Sequence, residues 1–233
     1  MNVLIVVTSA DTLAPGRPTG VWLEEFAIPF TALCEVGIDL VVASPKGGSA
    51  PIDPKTPPDD KARARWSQAL EALGQTTPLA EVSEGKFDAV FFPGGHGPMV
   101  DLATDESVAG LVSAFARAGK IIAALCHGPA ALLNAQGADG EALLKGRRVT
   151  GFTNGEEVLA KMDKVTPFLL EDRIRAAGGK FEHALLPGAC HVVIDGDLIT
   201  GQNPASSEAV AKALSEALSA RQRAALTVGA TVS

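Results

Sequence analysis

The sequence has no tyrosine, and aromatic residues make up only 5% of its 233 positions. Single-stranded nucleic acids bind to platforms of aromatic side chains on which their bases stack, so no such platform is expected here. An excess of positive charge is also lacking, because 20 Lys and Arg stand against 27 Asp and Glu, a net charge of −7. Binding to a phosphate backbone needs clustered positive charge. The composition therefore argues against a nucleic-acid partner.

Long apolar runs and an even set of cysteines are missing as well. The apolar start, Met1–Thr8, is short and has no basic residues, which is typical of a buried strand rather than a signal peptide. No run approaches the roughly 18 apolar residues that a membrane span needs. The three cysteines, Cys34, Cys126 and Cys190, favour reduced thiols over a disulfide framework. We expect a cytoplasmic protein with no membrane contact.

Short apolar runs of strand length alternate with segments that are long enough for helices. Continuous apolar runs suit strands that are covered on both faces, as in a parallel sheet. Strands that alternate with helices form right-handed βαβ units, so we predict an α/β fold with three layers. The predicted strands are Val3–Val7, Asp39–Ala43, Ala89–Phe92 and Ile121–Leu125, and the predicted crossover helices are Trp22–Val36, Lys61–Leu73 and Asp105–Ala118.

The remaining segments fit one enlarged domain. Residues 44–58 are rich in Pro and Gly and predict a surface loop of the kind that covers binding sites. Asp195-Gly196 lies between two apolar runs and predicts a hairpin, and Asn203-Pro204 predicts the start of a last helix. We expect a single domain over residues 1–226 and a flexible tail over residues 227–233.

The residues that follow the fourth predicted strand carry the strongest chemical signal. Cys126 and His127 end that strand, and Gly128-Pro129 opens a helix. A residue at this junction lies on a tight turn at the carboxyl edge of the sheet, where α/β folds bind their ligands. The helix N-terminus and a neighbouring imidazole both lower the pKa of a thiol, which makes it nucleophilic. The alternative is that Cys126 is a small core residue beside an incidental histidine.

A glycine-rich loop follows the third predicted strand. Gly94 and Gly95 allow backbone N–H groups to approach a ligand closely. The amides of Gly95 and His127 are therefore suited to form an oxyanion hole beside Cys126. His96, the next residue in this loop, is either a substrate contact or a solvent-exposed side chain.

Two acidic pairs, Glu24-Glu25 and Glu156-Glu157, supply candidate acid–base residues. Each pair lies near the start of a predicted helix, where an exposed Glu also stabilises the macrodipole. Because Glu24 and Glu25 lie in an apolar stretch, one of them is expected to turn inward and act as an acid or base near the thiol. One of Glu156 and Glu157 is suited to orient His127 as the third member of a Cys-His-acid set. The residues alone leave open which member of each pair takes these roles.

No pattern in the sequence supports a metal or cofactor site. His183 and His191 are far from Cys126 in the chain, and no Cys or His pair has zinc-ligand spacing. The glycine loop does not match a phosphate-binding fingerprint. Cys190 precedes a predicted hairpin strand and Cys34 lies on a predicted helix face, so both are assigned to structure. We expect neither a metal nor a cofactor.

Taken together, these segments resemble the ThiJ/PfpI superfamily, which contains class I glutamine amidotransferase-like domains. Within it, they are similar to the heat-shock chaperone branch, also described as glutathione-independent glyoxalase III. The resemblance extends from Met1 to about Leu218. It is carried by five segments, Thr19–Glu25, Phe92–Gly97, Ala124–Ala130, Thr150–Glu157 and Leu198–Ser207.

The resemblance implies a flavodoxin-like three-layer sandwich with a mostly parallel central sheet, and it implies a homodimer. It implies that Cys126 is the nucleophile, His127 its partner, Glu157 the acid of a triad and Glu25 the acid that contacts the thiol. A shift of one residue within either acidic pair keeps its other member open. The metal site of longer relatives is not expected in this chain.

The activity implied by the resemblance is a cofactor-independent, lyase-type conversion of the small dicarbonyl methylglyoxal to lactate, with a role in stress detoxification. The Cys126 thiolate attacks the aldehyde, Glu25 moves a proton between the two carbons, and hydrolysis with His127 as acid and base releases lactate. Two alternatives remain. One is a non-catalytic stress chaperone or a sensor in which Cys126 is oxidised. The other is a Cys-dependent peptidase, amidase or deglycase on the same scaffold.

Overall fold

The computed structural model describes residues 1–230, which build a seven-stranded sheet and two separate pairs of short strands. The predicted strands and the hairpin are confirmed, with boundaries shifted by a residue or two. The strands are β1 (Asn2–Val6), β2 (Thr12–Ala14), β3 (Arg17–Pro18), β4 (Asp39–Ser44), β5 (Thr77–Pro78), β6 (Ala89–Phe92), β7 (Ile121–Leu125), β8 (Arg148–Val149), β9 (Lys180–Phe181), β10 (Val192–Asp195) and β11 (Leu198–Gly201).

The large sheet has the strand order β10-β11-β7-β6-β1-β4-β5. Every neighbouring pair in it is parallel except the hairpin β10–β11, which is antiparallel. The strands β6 and β7 are buried along their whole length, as the continuous apolar runs predicted. Because β6 and β7 are parallel neighbours, the loops that follow Phe92 and Leu125 emerge side by side at one edge of the sheet.

Helices cover both faces of this sheet, which confirms the predicted three-layer α/β architecture. The residues of α1, α3 and α7 pack with one face in one apolar cluster, and those of α4 and α6 pack with the other face in a second cluster. The helices are α1 (Leu23–Glu35), α2 (Asp60–Arg65), α3 (Ser67–Gly74), α4 (Glu106–Arg117), α5 (Asn154–Leu159), α6 (Leu170–Ala176) and α7 (Ser207–Ala230).

Two predicted helices differ from the structure. The segment predicted as one helix over Lys61–Leu73 is divided into α2 and α3, because the backbone at Trp66 leaves helical values (φ −115°, ψ 31°) where its indole turns into the core. The helix predicted to open at Gly128-Pro129 is a single short 3₁₀ segment, Gly128–Leu132. Its hydrogen bonds span three residues, as in Ala130 N–H to the carbonyl of His127 at 3.0 Å.

The last helix, α7, extends to Ala230 and so passes the domain boundary predicted at residue 226. The predicted tail is therefore helical over residues 227–230, and residues 231–233 lie outside the described part of the chain. Among residues 1–230, no helix combines the length and the apolar character that crossing a bilayer requires.

Candidate active site

Cys126 stands at the end of β7 in a backbone conformation that non-glycine residues rarely adopt, with φ of 59°. Two backbone hydrogen bonds of 2.9 Å hold it there: its N–H donates to the carbonyl of Gly201, and its carbonyl accepts from the N–H of Phe152. Strained residues of this kind persist only where the surrounding structure fixes them, and they are concentrated at functional sites. The thiol is thus held on a tight turn above the carboxyl edge of the sheet.

The glycine loop after β6 lies directly against this turn. A side chain at Gly94 would collide with the carboxylate of Glu25 and with the Cβ of Cys126. Gly95 has φ of 94°, and its N–H faces the sulfur of Cys126 and lowers the pKa of the thiol in part. The backbone therefore presents an N–H group beside the sulfur, and whether it also stabilises an oxyanion stays a prediction.

Glu25 is the member of the first acidic pair that faces this site. It is fully buried on α1, and neither of its carboxyl oxygens has a hydrogen-bond partner of normal geometry. Burial raises its pKa to about 8, although the nearby thiol of Cys126 and the amide of Gly94 lower it in part. Glu24 lies in a separate cavity beside Trp66. At neutral pH, Glu25 therefore keeps its proton next to the sulfur.

The prediction that the pKa of Cys126 is lowered is wrong. Burial and then the nearby Glu25 carboxylate raise the pKa of the thiol well above its usual value, and the Gly95 amide only partly opposes them. The predicted helix N-terminus is a single short 3₁₀ segment, which has little macrodipole to offer. Cys126 and Glu25 form a coupled pair, in which loss of the first proton leaves one negative charge shared between sulfur and carboxylate.

The second acidic pair supplies Glu157, which binds two histidines at once. One of its oxygens lies 2.7 Å from Nε2 of His127, and the other lies 3.1 Å from Nε2 of His96. The two imidazole rings are 4.1 Å apart between centroids, and Nδ1 of His127 lies 3.3 Å from the sulfur of Cys126. His96 is buried, so the predicted alternative of solvent exposure is wrong.

The protonation states follow from this geometry. Burial alone would raise the pKa of Glu157, but hydrogen bonds from His127 and His96 outweigh it and hold the pKa at about 2. Burial, followed by repulsion from His96, lowers the pKa of His127 to about 4. An ionised Glu157 only accepts hydrogen bonds, so both histidines donate through Nε2. Nδ1 of neutral His127 is then free to accept the thiol proton of Cys126.

The same three side chains are also the group in the described residues that could hold a metal ion. The ligand atoms of His96, His127 and Glu157 all lie within 4.8 Å of one another. Two imidazole nitrogens and a carboxylate suit a transition metal. A metal would compete for the Nε2 atoms that now donate to Glu157.

Glu156, the neighbour of Glu157, serves a different purpose. Its Oε1 accepts hydrogen bonds from the N–H of Gly188 and from the side chains of Gln202 and Asn203, at 2.7 to 3.0 Å. Its Oε2 accepts from the amide and hydroxyl of Thr153, which completes a capping box on α5. Glu156 thereby ties α5 to the loops on either side of β10 and β11 and fixes the helix that carries Glu157.

Substitution of Glu156 by Gln is expected to lower the free energy of unfolding by about 2–3 kcal/mol, because amide donors are left facing a side-chain NH₂ that cannot accept. Glu157→Gln is the matched control. The two histidines that face Glu157 can switch tautomers and become acceptors, so we expect a clearly smaller loss. Urea unfolding of both variants at pH 7 measures the difference. Equal losses would contradict this division of roles.

A cavity of about 370 Å³ opens above these residues. Glu25, Gly95, His96, Cys126 and His127 all line it, so every sequence-predicted site residue except Gly94 and Glu157 contacts this space directly. The other lining residues, which the sequence motifs did not single out, are Trp22, Lys55, Phe152, Ala160 and Pro204. Lys55 comes from the loop over residues 44–58, which supports the interpretation of that loop as a cover of the site.

Phe152 and Trp22 could have been identified as candidate site residues from the sequence. Each lies inside a segment that was singled out for its glutamates. The ring of Phe152 packs on His127, with centroids 4.7 Å apart. The N–H of Trp22 donates to the carbonyl of Gly94 at 3.1 Å. The other two cysteines lie elsewhere: Cys34 is half-buried and Cys190 is exposed.

Several known proteins are similar to this chain over most of its length. The profile of the DJ-1/PfpI family matches residues 18–217. Glutamine amidotransferase-like class 1 domain-containing protein 1 of Bos taurus is 34% identical over 197 residues, covering 84% of this chain and 87% of the relative. Glyoxalase 3 of Candida albicans is 27% identical over 224 residues, covering 89% of this chain and 94% of the relative.

Among solved structures, one similar structure is that of the Rapid Encystment Protein 24 KDa of Francisella tularensis, which is 34% identical in sequence to this chain. The two structures superpose with a TM-score of 0.86, and the match covers 93% of this chain and 98% of the other. The motif-based prediction of the family is thereby confirmed. The matched profile spans the elements that build the site, from the segment before α1 to α7. The chain belongs to the DJ-1/PfpI family.

Proposed function

We propose that this protein is a glyoxalase that needs no glutathione or other cofactor and converts methylglyoxal and related 2-oxoaldehydes to 2-hydroxy acids. One observation carries the proposal: a strained, buried thiol lies between a proton-bearing carboxyl, Glu25, and a neutral imidazole, His127. The similarity to glyoxalase 3 of Candida albicans, which covers 94% of that protein, supports the same activity.

In the first step, the sulfur of Cys126 forms a bond to the aldehyde carbon and the carbonyl oxygen becomes an oxyanion. The N–H groups of Gly95 and His127 stabilise this charge. The proton that Cys126 and Glu25 share moves to the oxyanion, which gives a neutral hemithioacetal. Glu25 is then a carboxylate, whichever of the two groups held the proton before.

The second step moves hydrogen between the two carbons of the substrate. The Glu25 carboxylate removes the proton from the former aldehyde carbon, and an enediolate forms. The same carboxyl returns the proton to the neighbouring carbon, while the hydroxyl proton passes to the second oxygen. The product is a thioester of the 2-hydroxy acid on Cys126. No electrons enter or leave, so no redox cofactor is required.

Hydrolysis completes the cycle. His127, neutral because its pKa is about 4, takes a proton from water, which attacks the thioester. The carbon–sulfur bond breaks, and the proton returns to the sulfur. Glu157 holds His127 in the tautomer that this step needs. Overall, methylglyoxal and water give lactate and one proton.

The position of Glu25 favours this reaction over amide hydrolysis. An amidase or peptidase needs a nucleophile and a base, which Cys126 and His127 already supply. A second acid–base group with a pKa of about 8 beside the sulfur has a task only when a proton must move between carbons. A non-catalytic stress chaperone would need neither Glu25 nor His127.

The purified protein is expected to convert methylglyoxal to lactate without added glutathione or metal. Loss of the dicarbonyl and formation of lactate should agree in amount, and a chiral assay should find one lactate enantiomer in excess, because the proton is returned by a fixed carboxyl. Glutamine and a fluorogenic peptide serve as controls for amidase and peptidase activity. Absence of lactate formation would refute the proposal and favour the non-catalytic alternative.

A further inference from the structure

A second cavity, of about 510 Å³, adjoins the catalytic pocket on the side of α5. The two cavities share three lining residues, Phe152, Ala160 and Pro204. Beyond them, the second cavity is lined by Leu159, Pro187 and other residues of the same loops. We call this second cavity the α5 groove. The shared wall places the α5 groove directly beside the space above Cys126.

The two polar side chains that line the α5 groove, Glu156 and Asn203, already make hydrogen bonds within the protein. Glu156 accepts five hydrogen bonds from within the protein. The side-chain amide of Asn203 donates to Glu156 and to the carbonyl of Ala189, and its oxygen accepts from the hydroxyl of Ser206. What remains available to a ligand is apolar surface. The same hydrogen bonds make the floor of the groove rigid.

Large apolar side chains are exposed at the rim of the groove. Leu159 is 69% exposed, and Leu186, which directly precedes the lining residue Pro187, is 71% exposed. Exposed apolar surface that is grouped around a groove marks ligand-binding sites more often than isolated exposed residues do. Because the groove adjoins the catalytic pocket, its position favours a ligand whose reactive end lies at Cys126.

We propose that the α5 groove is the subsite for an aromatic or branched apolar group on the carbonyl carbon next to the aldehyde. This inference rests on the proposed glyoxalase activity. Methylglyoxal has only a methyl group at that carbon, which leaves most of a 370 Å³ pocket and all of the groove empty. The reaction is unchanged: phenylglyoxal plus water gives mandelate through the same thioester on Cys126.

The test compares phenylglyoxal with methylglyoxal in three proteins. Leu159→Asn replaces an apolar wall of the groove by a polar side chain. Val158→Asn is the matched control, because Val158 is similarly exposed on the same helix but lines neither cavity. We expect Leu159→Asn to lower kcat/KM for phenylglyoxal about tenfold and to leave methylglyoxal unchanged. Val158→Asn should change neither, and Leu159→Met should retain the phenylglyoxal rate.

The outcomes separate the two proposals. Suppose that the wild-type protein turns over methylglyoxal. If Leu159→Asn then leaves the ratio of kcat/KM for phenylglyoxal to kcat/KM for methylglyoxal unchanged, the groove is not a substrate subsite. The same holds if Val158→Asn lowers the ratio equally. If Leu159→Asn changes the particle mass measured by light scattering but neither substrate rate, a second copy of the chain covers the groove and the inference is overturned. If the wild-type protein converts neither substrate, the glyoxalase proposal fails and this inference fails with it.

Discussion

Replacing Cys126 with serine is expected to reduce the formation of lactate from methylglyoxal by about 10³-fold or more. The hydroxyl is a far weaker nucleophile than a thiolate, and the neutral imidazole of His127 is too weak a base to ionise it fully. The side chains are similar in size, so the strained turn should be retained. Steady-state kinetics of the purified variant, with circular dichroism to check the fold, measure the effect.

Two other substitutions control for the general effect of losing a thiol. Cys190 is exposed and Cys34 is half-buried away from the site, so Cys190→Ser and Cys34→Ser should keep nearly full activity. Mass spectrometry of the wild-type protein quenched during turnover should find the acyl group on Cys126 alone. Substantial lactate formation by Cys126→Ser would show that the thiol is not the nucleophile.

Substituting Glu25 by glutamine is expected to lower kcat by about 10²- to 10³-fold, because the amide cannot carry a proton from one carbon to the next. Glu24→Gln is the matched control: Glu24 precedes Glu25 on α1 but lies in a separate cavity, and its variant should remain active. The measured rates of the two variants decide which of Glu24 and Glu25 transfers the proton. Similar losses in both would contradict the assignment.

The pH dependence supplies a second readout for Glu25. Its pKa of about 8 means that the pair of Cys126 and Glu25 loses its first proton near that pH. The reactive, singly charged pair therefore increases as the pH rises through about 8. Alkylation of Cys126 by iodoacetamide should accelerate over the same range. In Glu25→Gln this midpoint should disappear, because the remaining titration belongs to the thiol alone.

The same substitution should stabilise the fold at alkaline pH. The pKa of Glu25 is higher in the folded protein than its ordinary value of 4.5, so the folded state holds the proton more tightly. Its contribution to stability is full below pH 4.5 and is lost as the pH rises towards 8. Glutamine does not titrate, so Glu25→Gln should unfold at a higher temperature than the wild-type protein at pH 8. An active-site group that costs stability is a common consequence of function.

The sequence was sufficient to predict the architecture, and it indicated where a candidate site would lie. Buried strands such as β6 and β7 are continuous apolar runs, and their alternation with helical segments permits few topologies. The Cys126-His127 junction and the Gly94-Gly95 loop were predictable because each directly follows such a strand. Parallel strands bring their carboxyl ends to one edge, and β6 and β7 are neighbours in the sheet, so the two loops lie side by side.

Other features depended on contacts between residues that are distant in the chain. Successive residues on a helix point about 100° apart, so only one glutamate of each pair can face the site. The local sequence does not show which glutamate of the pair faces the site, because apolar residues lie on both sides of the pair. His96 and His127 meet on Glu157 only because three separate loops converge there.

The sequence by itself therefore determined the α/β fold, the family and the identity of the strand-end thiol, since these follow from local patterns and chain order. The tertiary structure decided the protonation state of the site. Proximity in sequence suggested an acidic thiol, but burial and the Glu25 carboxyl raise its pKa instead. A pKa depends on the solvent and charges that surround a group, and that environment exists only once the chain has folded.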